Sequence, residues 1–354
     1  MKLQPNPHGR GTPENPKNRF EKHSFEMQLQ DFEHEELPPA PDTQYLPTSS
    51  KSILTTNDSP DVGFTYSVNP YSGCTHGCIY CYARPYHEYW GYSAGLDFET
   101  KILVKDDAPE LLRKTLMAKK YVPDHIAMSG VTDCYQPGER ELRLTRGCLQ
   151  VLAEFKNPVG IITKSRLVTR DIDVLSEMAK WTGAAVFISM TTLDADISAK
   201  MEPRAARPAA RLETIQEMAA AGIPVGVNAA PLIPGLTDHE LPAILDAAAA
   251  AGAGFAGYGV VRLPGAVEGL FETWLAQFYP NSQNKVMSRI RDSHQGNAND
   301  SRFGVRMRGT GKHADQINAM YHLSCRKSGL KSGPPVMSLQ HFRRPSIGQL
   351  DMFS

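Results

Sequence analysis

The chain has 354 residues, 41 % of them hydrophobic, and its 38 basic and 38 acidic residues balance to a formal net charge of zero. That length suits one large domain or two smaller ones, and no apolar run approaches the roughly 20 residues of a membrane-spanning helix, which argues against a membrane partner. The opening Met1-Lys2-Leu3-Gln4-Pro5 carries no apolar signal stretch, and six cysteines make a poor disulfide framework here, so the expectation is a cytoplasmic protein whose cysteines serve metal or redox chemistry.

Residues 1–60 are polar and punctuated by proline (Pro5, Pro7, Pro13, Pro16, then Pro38, Pro39, Pro41 and Pro47). They show no sustained period, which predicts an extended, partly disordered segment. From Phe64 onward short β-branched or aromatic runs alternate with helical patterns. The predicted strands are 64–68, 125–129, 159–163, 185–190, 225–229 and 255–261, with 101–105 a further candidate. Between them, helices are predicted over 138–155, 211–221 and 238–251, with Gly222 where a helix C-cap belongs.

Repeated strand–helix units argue for parallel strands, in a barrel or an open sheet, whose C-terminal ends carry the ligand-binding loops. This α/β core spans 61–265. Beyond Pro264 the alternation stops, and helical patterns over 267–278, 286–291 and 312–327 make 266–335 a helical extension. Residues 336–354 form a loose tail.

The loop after the first predicted strand reads Gly73-Cys74-Thr75-His76-Gly77-Cys78-Ile79-Tyr80-Cys81-Tyr82. Three thiolates at Cys-x3-Cys-x2-Cys can bind three irons of a cube and leave the fourth without a protein ligand. An electron-transfer cluster normally has four cysteines, and no fourth lies nearby. Zinc is the alternative, and it would need a fourth ligand such as His76 or His87.

This loop resembles the signature of the radical S-adenosylmethionine (radical SAM) superfamily, and residues 64 to about 265 resemble its branch around spore photoproduct lyase. The resemblance implies a partial (β/α)6 TIM-like barrel, here with a helical C-terminal extension and an irregular N-terminal segment. It implies a 4Fe-4S cluster on Cys74, Cys78 and Cys81, with S-adenosyl-L-methionine chelated at the open iron. Reductive cleavage would then give a 5′-deoxyadenosyl radical, with flavodoxin or ferredoxin as electron donor.

By the same resemblance, Ser129 and Gly130 lie in the loop that meets the methionine amino group. Lys164 and Ser189 hold the carboxylate, as an ammonium and a hydroxyl at adjacent strand ends can. Glu202-Pro203-Arg204 with Arg211 binds ribose or locks a loop, with a surface ion pair as the alternative; Tyr80 joins the cofactor-binding set, and Asn228–Gly235 shelters adenine. The lyase's hydrogen-donating cysteine has no counterpart in register, because Gly130 stands nearest. Cys134, a few residues later, is the substitute candidate for a catalytic thiol, with an ordinary buried thiol as the alternative. Cys148 falls on an apolar helix face.

From Lys285 to Arg344 twelve Lys and Arg face three Asp, a local surplus of nine positive charges. Within it Arg302-Phe303-Gly304-Val305-Arg306-Met307-Arg308 interleaves guanidinium groups with an aromatic ring, which suits a phosphate backbone. A solvated helical face with internal ion pairs is the alternative. Gln349-Leu350-Asp351-Met352-Phe353 resembles the short peptides that dock on the bacterial DNA sliding clamp. The leading expectation is a radical SAM enzyme acting on nucleic acid, in DNA repair or base modification. A protein or small-metabolite substrate, or a non-catalytic metal-binding module, stays open.

Overall fold

Period-two burial builds the sheet. In the strand Val159–Thr163 the first, third and fifth residues are buried and the others half-exposed, as a strand between two different environments requires. A computed structural model describes residues 6–20 and 41–345. It contains eleven short strands, β1 (Gln44–Pro47), β2 (Leu54–Thr56), β3 (Tyr66–Val68), β4 (Tyr71–Ser72), β5 (Lys101–Val104), β6 (Ile126–Met128), β7 (Val159–Thr163), β8 (Ala184–Ser189), β9 (Val225–Leu232), β10 (Phe255–Val260) and β11 (Lys331–Ser332), among the described residues.

The large sheet has the order β11-β10-β9-β8-β7-β6-β3-β2. The six central strands, β3 and β6 to β10, are mutually parallel and lie in chain order. That is the partial barrel expected, with no closure: β2 caps one edge antiparallel and β11 the other parallel. The 101–105 strand exists but belongs elsewhere, since β5 pairs with β1 and β4 in a separate three-stranded sheet.

Helices cover the sheet: α1 (Leu96–Thr100), α2 (Ala108–Met117), α3 (Glu139–Leu142), α4 (Leu144–Phe155), α5 (Ile172–Ala179), α6 (Ala195–Met201), α7 (Pro208–Ala220) and α8 (Leu241–Ala250). The helix predicted over 138–155 is two, because Arg143 adopts a left-handed φ of 52°. The cause is Glu139, whose buried carboxylate accepts Thr145 N at 2.9 Å. It thereby satisfies an orphan amide at the start of α4. Tyr71 and Arg170 hold the same carboxylate from two other elements.

The main core lies between the sheet and these helices, and includes Cys134 and Cys148. A second core forms where α9 (Val267–Phe278) and α10 (Gln283–Ser293) pack against Ile79, Cys78 and Met201. The helical extension therefore buttresses the cysteine loop. The last helix, α11 (Gly311–Ser328), ends at Gly329 with φ +71°, and its Tyr321 hydroxyl donates to the Ala256 carbonyl in β10 at 2.8 Å.

Described parts of both terminal stretches are packed against the core. In the N-terminal stretch Arg10, Thr12 and Asn18 are buried. At the other end Phe342 packs beside Tyr121 and Phe155, and the Arg344 guanidinium donates to the carbonyls of Leu116, Ala118 and Tyr121. Apolar or charged residues in a polar, Pro-rich stretch found partners that no local period announces. The clamp-like Gln349–Phe353 lies outside the described residues.

Candidate active site at the cysteine loop

The loop carrying the three cysteines follows β4 and is fixed mainly through its backbone. Cys74 N donates to the Phe98 carbonyl at 2.9 Å and Ile79 N to that of Met201 at 3.0 Å. Thr132 Oγ1 donates to the Gly73 carbonyl at 2.6 Å, and Gln136 Oε1 accepts Thr75 N at 3.0 Å. Gly73 and Gly77 adopt φ of +84° and +68°, a region that only glycine enters freely. A side chain at Gly77 would in addition strike the Glu99 carboxylate at 2.7 Å.

Beneath the loop lies a buried ion pair that the sequence did not reveal. Arg84 Nε donates to the Cys78 carbonyl at 3.0 Å, while its Nη2 meets Glu99 Oε1 at 2.5 Å. Glu99 Oε2 in turn accepts Gly11 N at 2.9 Å, and Arg10 Nη1 donates to the Glu99 carbonyl at 2.9 Å. Residues 9–12 are thus a strap closing over the loop. No local pattern links Gly11 to Glu99, 88 positions away.

Cys74 and Cys78 are almost buried and Cys81 is half-buried. Burial pushes the Cys78 and Cys81 thiols up, with the neighbouring cysteines adding to the effect. Metal must therefore displace protons held more firmly than on a free thiol. Among the described residues no three His, Cys, Asp or Glu side chains converge on a single metal-ion position. In an iron–sulfur cube each cysteine takes a different iron, so three thiolates in one loop hold three corners. His76, a zinc candidate, instead pairs with Asp133 through Nδ1 at 3.4 Å. Burial opposes its charge, but the Cys74 and Asp133 charges outweigh that and lift its pKa to about 10. The donor set fits an iron–sulfur cube.

The other predicted residues gather around the same loop. Tyr80, before the third cysteine, donates its hydroxyl to Glu202, which also accepts Thr191 Oγ1 at 2.8 Å and the buried guanidinium of Arg211. Arg211 Nη1 reaches the Ser189 carbonyl at 3.0 Å and its Nε that of Ala206 at 2.7 Å. Burial alone would raise the Glu202 carboxyl, but Arg211 and Lys164 hold it at about 2. Glu202 and Arg211 form a buried ion pair inside the fold.

Lys164 lies at the end of β7, its ammonium 5.7 Å from the centre of the Tyr80 ring and under the attraction of Cys78 and Glu202. Only its backbone is hydrogen-bonded among the described residues, donating to Asp133. Ser189 ends β8 and is buried. Ser129 has a φ of +83° and spends its hydroxyl on Cys134 N at 3.0 Å. The Gly130 carbonyl accepts the Tyr82 hydroxyl at 2.7 Å.

Cys134 does not join this group. It is 0 % exposed within the main core, with its amide and carbonyl engaged by Ser129 and Thr145. Its side chain is placed as a packing element, the alternative weighed for it, and burial pushes its thiol up. The basic C-terminal stretch is also less free than its charge count implied. Arg291 pairs with Glu268 and Glu272, Arg302 with Asp300, and Arg306 with Asp61.

Comparison with known proteins places this arrangement. An uncharacterised protein of Mycobacterium tuberculosis is 36 % identical over 235 residues, covering 66 % of this chain and 68 % of its own. One of Methanocaldococcus jannaschii is 29 % identical over 178 residues, 50 % of this chain and 64 % of that protein. Among solved structures, spore photoproduct lyase complexed with dinucleoside spore photoproduct superposes with a TM-score of 0.57 at 14 % identity, covering 81 % of each chain. A variant of that lyase with bound AdoMet and the same dinucleoside gives 0.55 at 15 % identity, over 78 % of each. These two likenesses concern the fold. The Radical SAM superfamily model matches residues 68–248, the stretch that holds all three cysteines and Lys164, Ser189, Glu202 and Arg211, and the chain belongs to that superfamily of enzymes.

Proposed function

We propose that this radical SAM enzyme acts on nucleic acid, specifically on DNA in repair or base modification. A 4Fe-4S cluster held by Cys74, Cys78 and Cys81 supplies, when bound, the reductive cleavage of S-adenosylmethionine to a 5′-deoxyadenosyl radical. The chain's own residues supply position. Lys164 and the Ser189 hydroxyl take the methionine carboxylate, and backbone around Ser129 and Gly130 takes its amino group. Glu202 and Arg211 hold Tyr80 and the strand ends in place, and Asn228–Gly235 covers the adenine.

The observation that carries the cofactor placement is the Lys164 ammonium. It stands beside Cys78 at a strand end without a carboxylate within ion-pair distance among the described residues. A half-buried cation in that state favours an incoming anion. Support for nucleic acid comes from the fold shared with spore photoproduct lyase and from the positive C-terminal stretch. Recruitment to the sliding clamp through Gln349–Phe353, and reduction by flavodoxin or ferredoxin, belong to the same proposal.

The test is anaerobic reconstitution followed by reduction in the presence of deuterium-labelled oligonucleotides. Deuterium should appear in 5′-deoxyadenosine. Release of unlabelled 5′-deoxyadenosine with every labelled nucleic acid, alongside transfer from a labelled protein or metabolite, removes the nucleic-acid assignment.

A further inference from the structure

The surface beside Cys81 is unusually aromatic for an exposed one. The short helix 84–90 that follows the cysteine loop presents Tyr86, Tyr89 and Trp90 to solvent, at 52, 66 and 45 % exposure. Phe20, from the N-terminal stretch, lies 5.0 Å from the Tyr89 ring, and Tyr86 lies 6.5 Å from it. Tyr82, next to the third cysteine, is also exposed, and the guanidinium of Arg262 stacks on it at 4.6 Å from the ring centre. These residues come from three places in the chain: residue 20, residues 82–90 and residue 262.

Large exposed rings in a row are costly to leave in water unless something covers them. Among the described residues Arg19 lies over the Phe20 and Tyr89 rings, at 4.8 and 5.2 Å from their centres, yet Tyr86, Tyr89 and Trp90 remain exposed. Arg262 adds the second observation. It follows β10 and is half-buried, yet among the described residues it has no carboxylate within ion-pair distance, unlike Arg19 and Arg306, which pair with Glu88 and Asp61. A cation so placed calls for an anion from outside.

We propose that this belt is the docking surface for an unpaired DNA strand, with bases stacked on Tyr86, Tyr89 and Trp90 and a phosphate on Arg262. The inference rests on the proposed action on DNA and deepens it, by stating where and in what form the strand lies. Rings offer every base a π-face, and the guanidinium offers a phosphate a planar fork of donors. The belt runs up to Tyr82, so a strand bound along it delivers a nucleotide to the edge of the cysteine loop. A base must be out of the duplex for chemistry on it, and a stacking surface at that edge compensates for the lost pairing.

The experiment is fluorescence anisotropy of a labelled mixed-sequence single-stranded DNA oligomer with the full reconstituted protein, across a series of salt concentrations. The duplex and the RNA of the same sequence serve as separate arms. Wild type should bind the single strand more tightly than the duplex. Tyr89→Ala with Trp90→Ala should weaken binding by about tenfold or more without changing the salt slope. Arg262→Gln should reduce that slope by about 0.7, one phosphate contact on a single strand. Both variants should retain wild-type iron content and release of 5′-deoxyadenosine without substrate, which shows that the loop is intact.

Equal affinity in wild type and the ring variant, or preference for the duplex, overturns the belt and leaves action on DNA standing. Tenfold tighter binding of RNA overturns the choice of DNA. Binding of no nucleic acid by wild type removes both readings and leaves the rings to a protein partner.

Discussion

Glu202 gathers three side chains beside the cysteine loop. Its carboxylate holds Tyr80, Thr191 and Arg211, and it draws Lys164 as well. All of Tyr80, Glu202 and Arg211 are buried, so removing the charge strands a guanidinium away from water. Glu202→Gln should cost about 3 kcal/mol of stability, measured by urea denaturation of the apoprotein. A change below about 1 kcal/mol would show that the Glu202 charge is not what holds these side chains together. Lys164 has a different task, and Lys164→Met should lower the denaturation midpoint less than Glu202→Gln does, since Arg211 still holds the carboxylate. Its effect should fall on S-adenosylmethionine, whose Kd rises roughly ten- to a hundredfold for a lost charged hydrogen bond. Equilibrium dialysis against the reconstituted protein reads this directly, and an unaltered Kd would release Lys164 from the role.

At the scale of elements, the cysteine loop is held from three sides. Helices α9 and α10 pack on Ile79 and Cys78, the Arg84–Glu99 pair lies beneath, and the strap of residues 9–12 closes over the top. The strap tolerates nothing larger than glycine at position 11, where a Cβ would come within 1.9 Å of the Gly77 carbonyl. That clash is with backbone, so Gly11→Ala must push the strap off the loop, at a cost of the order of 1–3 kcal/mol. We expect reconstituted Gly11→Ala to bleach several times faster in air than wild type, followed by absorbance and by iron retained per chain. Identical bleaching would show that the strap does not shield the cluster. The break between α3 and α4 is of the same kind. A carboxylate on one helix caps the next, and Tyr71 and Arg170 fix it there, so neighbouring elements decided where a helix starts.

Across the whole molecule, acid should act through two sets of buried groups. Burial holds His87 neutral, with its pKa down at about 4. The unfolded chain binds a proton near pH 6.5 that the folded chain refuses, so stability is intact above about 6.5 and falls as pH drops towards 4. Glu202 and Asp133 sit at about 2 in the fold, against ordinary values of 4.5 and 3.8. Their contribution is present above those ordinary values and is lost as pH falls towards 2. The apoprotein should therefore weaken in two stages. His87→Phe, which keeps a ring against Tyr92 and Phe98, should remove the first stage and add on the order of 2 kcal/mol at pH 5. Denaturation curves for both proteins at pH 5 and pH 7 test this. Equal pH dependence would mean that His87 titrates normally.

The sequence by itself determined the chemistry and the main sheet. The Cys-x3-Cys-x2-Cys spacing is a local property, since three ligands within eight residues must share one loop whatever surrounds them. The strands β6 to β10 were legible because a buried parallel strand needs a short β-branched run, and each is bounded by a helical pattern. Lys164 and Ser189 are named by the resemblance to the spore photoproduct lyase branch; their place at strand ends alone would equally read as a solvated lysine and a core hydroxyl.

Tertiary structure decided what depends on partners far apart in the chain. Gly11 against Gly77, Arg84 against Glu99, and the join of Phe20, Tyr89, Tyr82 and Arg262 leave no periodic trace. Cys134 read as a candidate for chemistry by its place in a loop, and only packing put it in the core. A contact between distant residues is chosen by the free energy of the assembled fold, and neither segment encodes it alone.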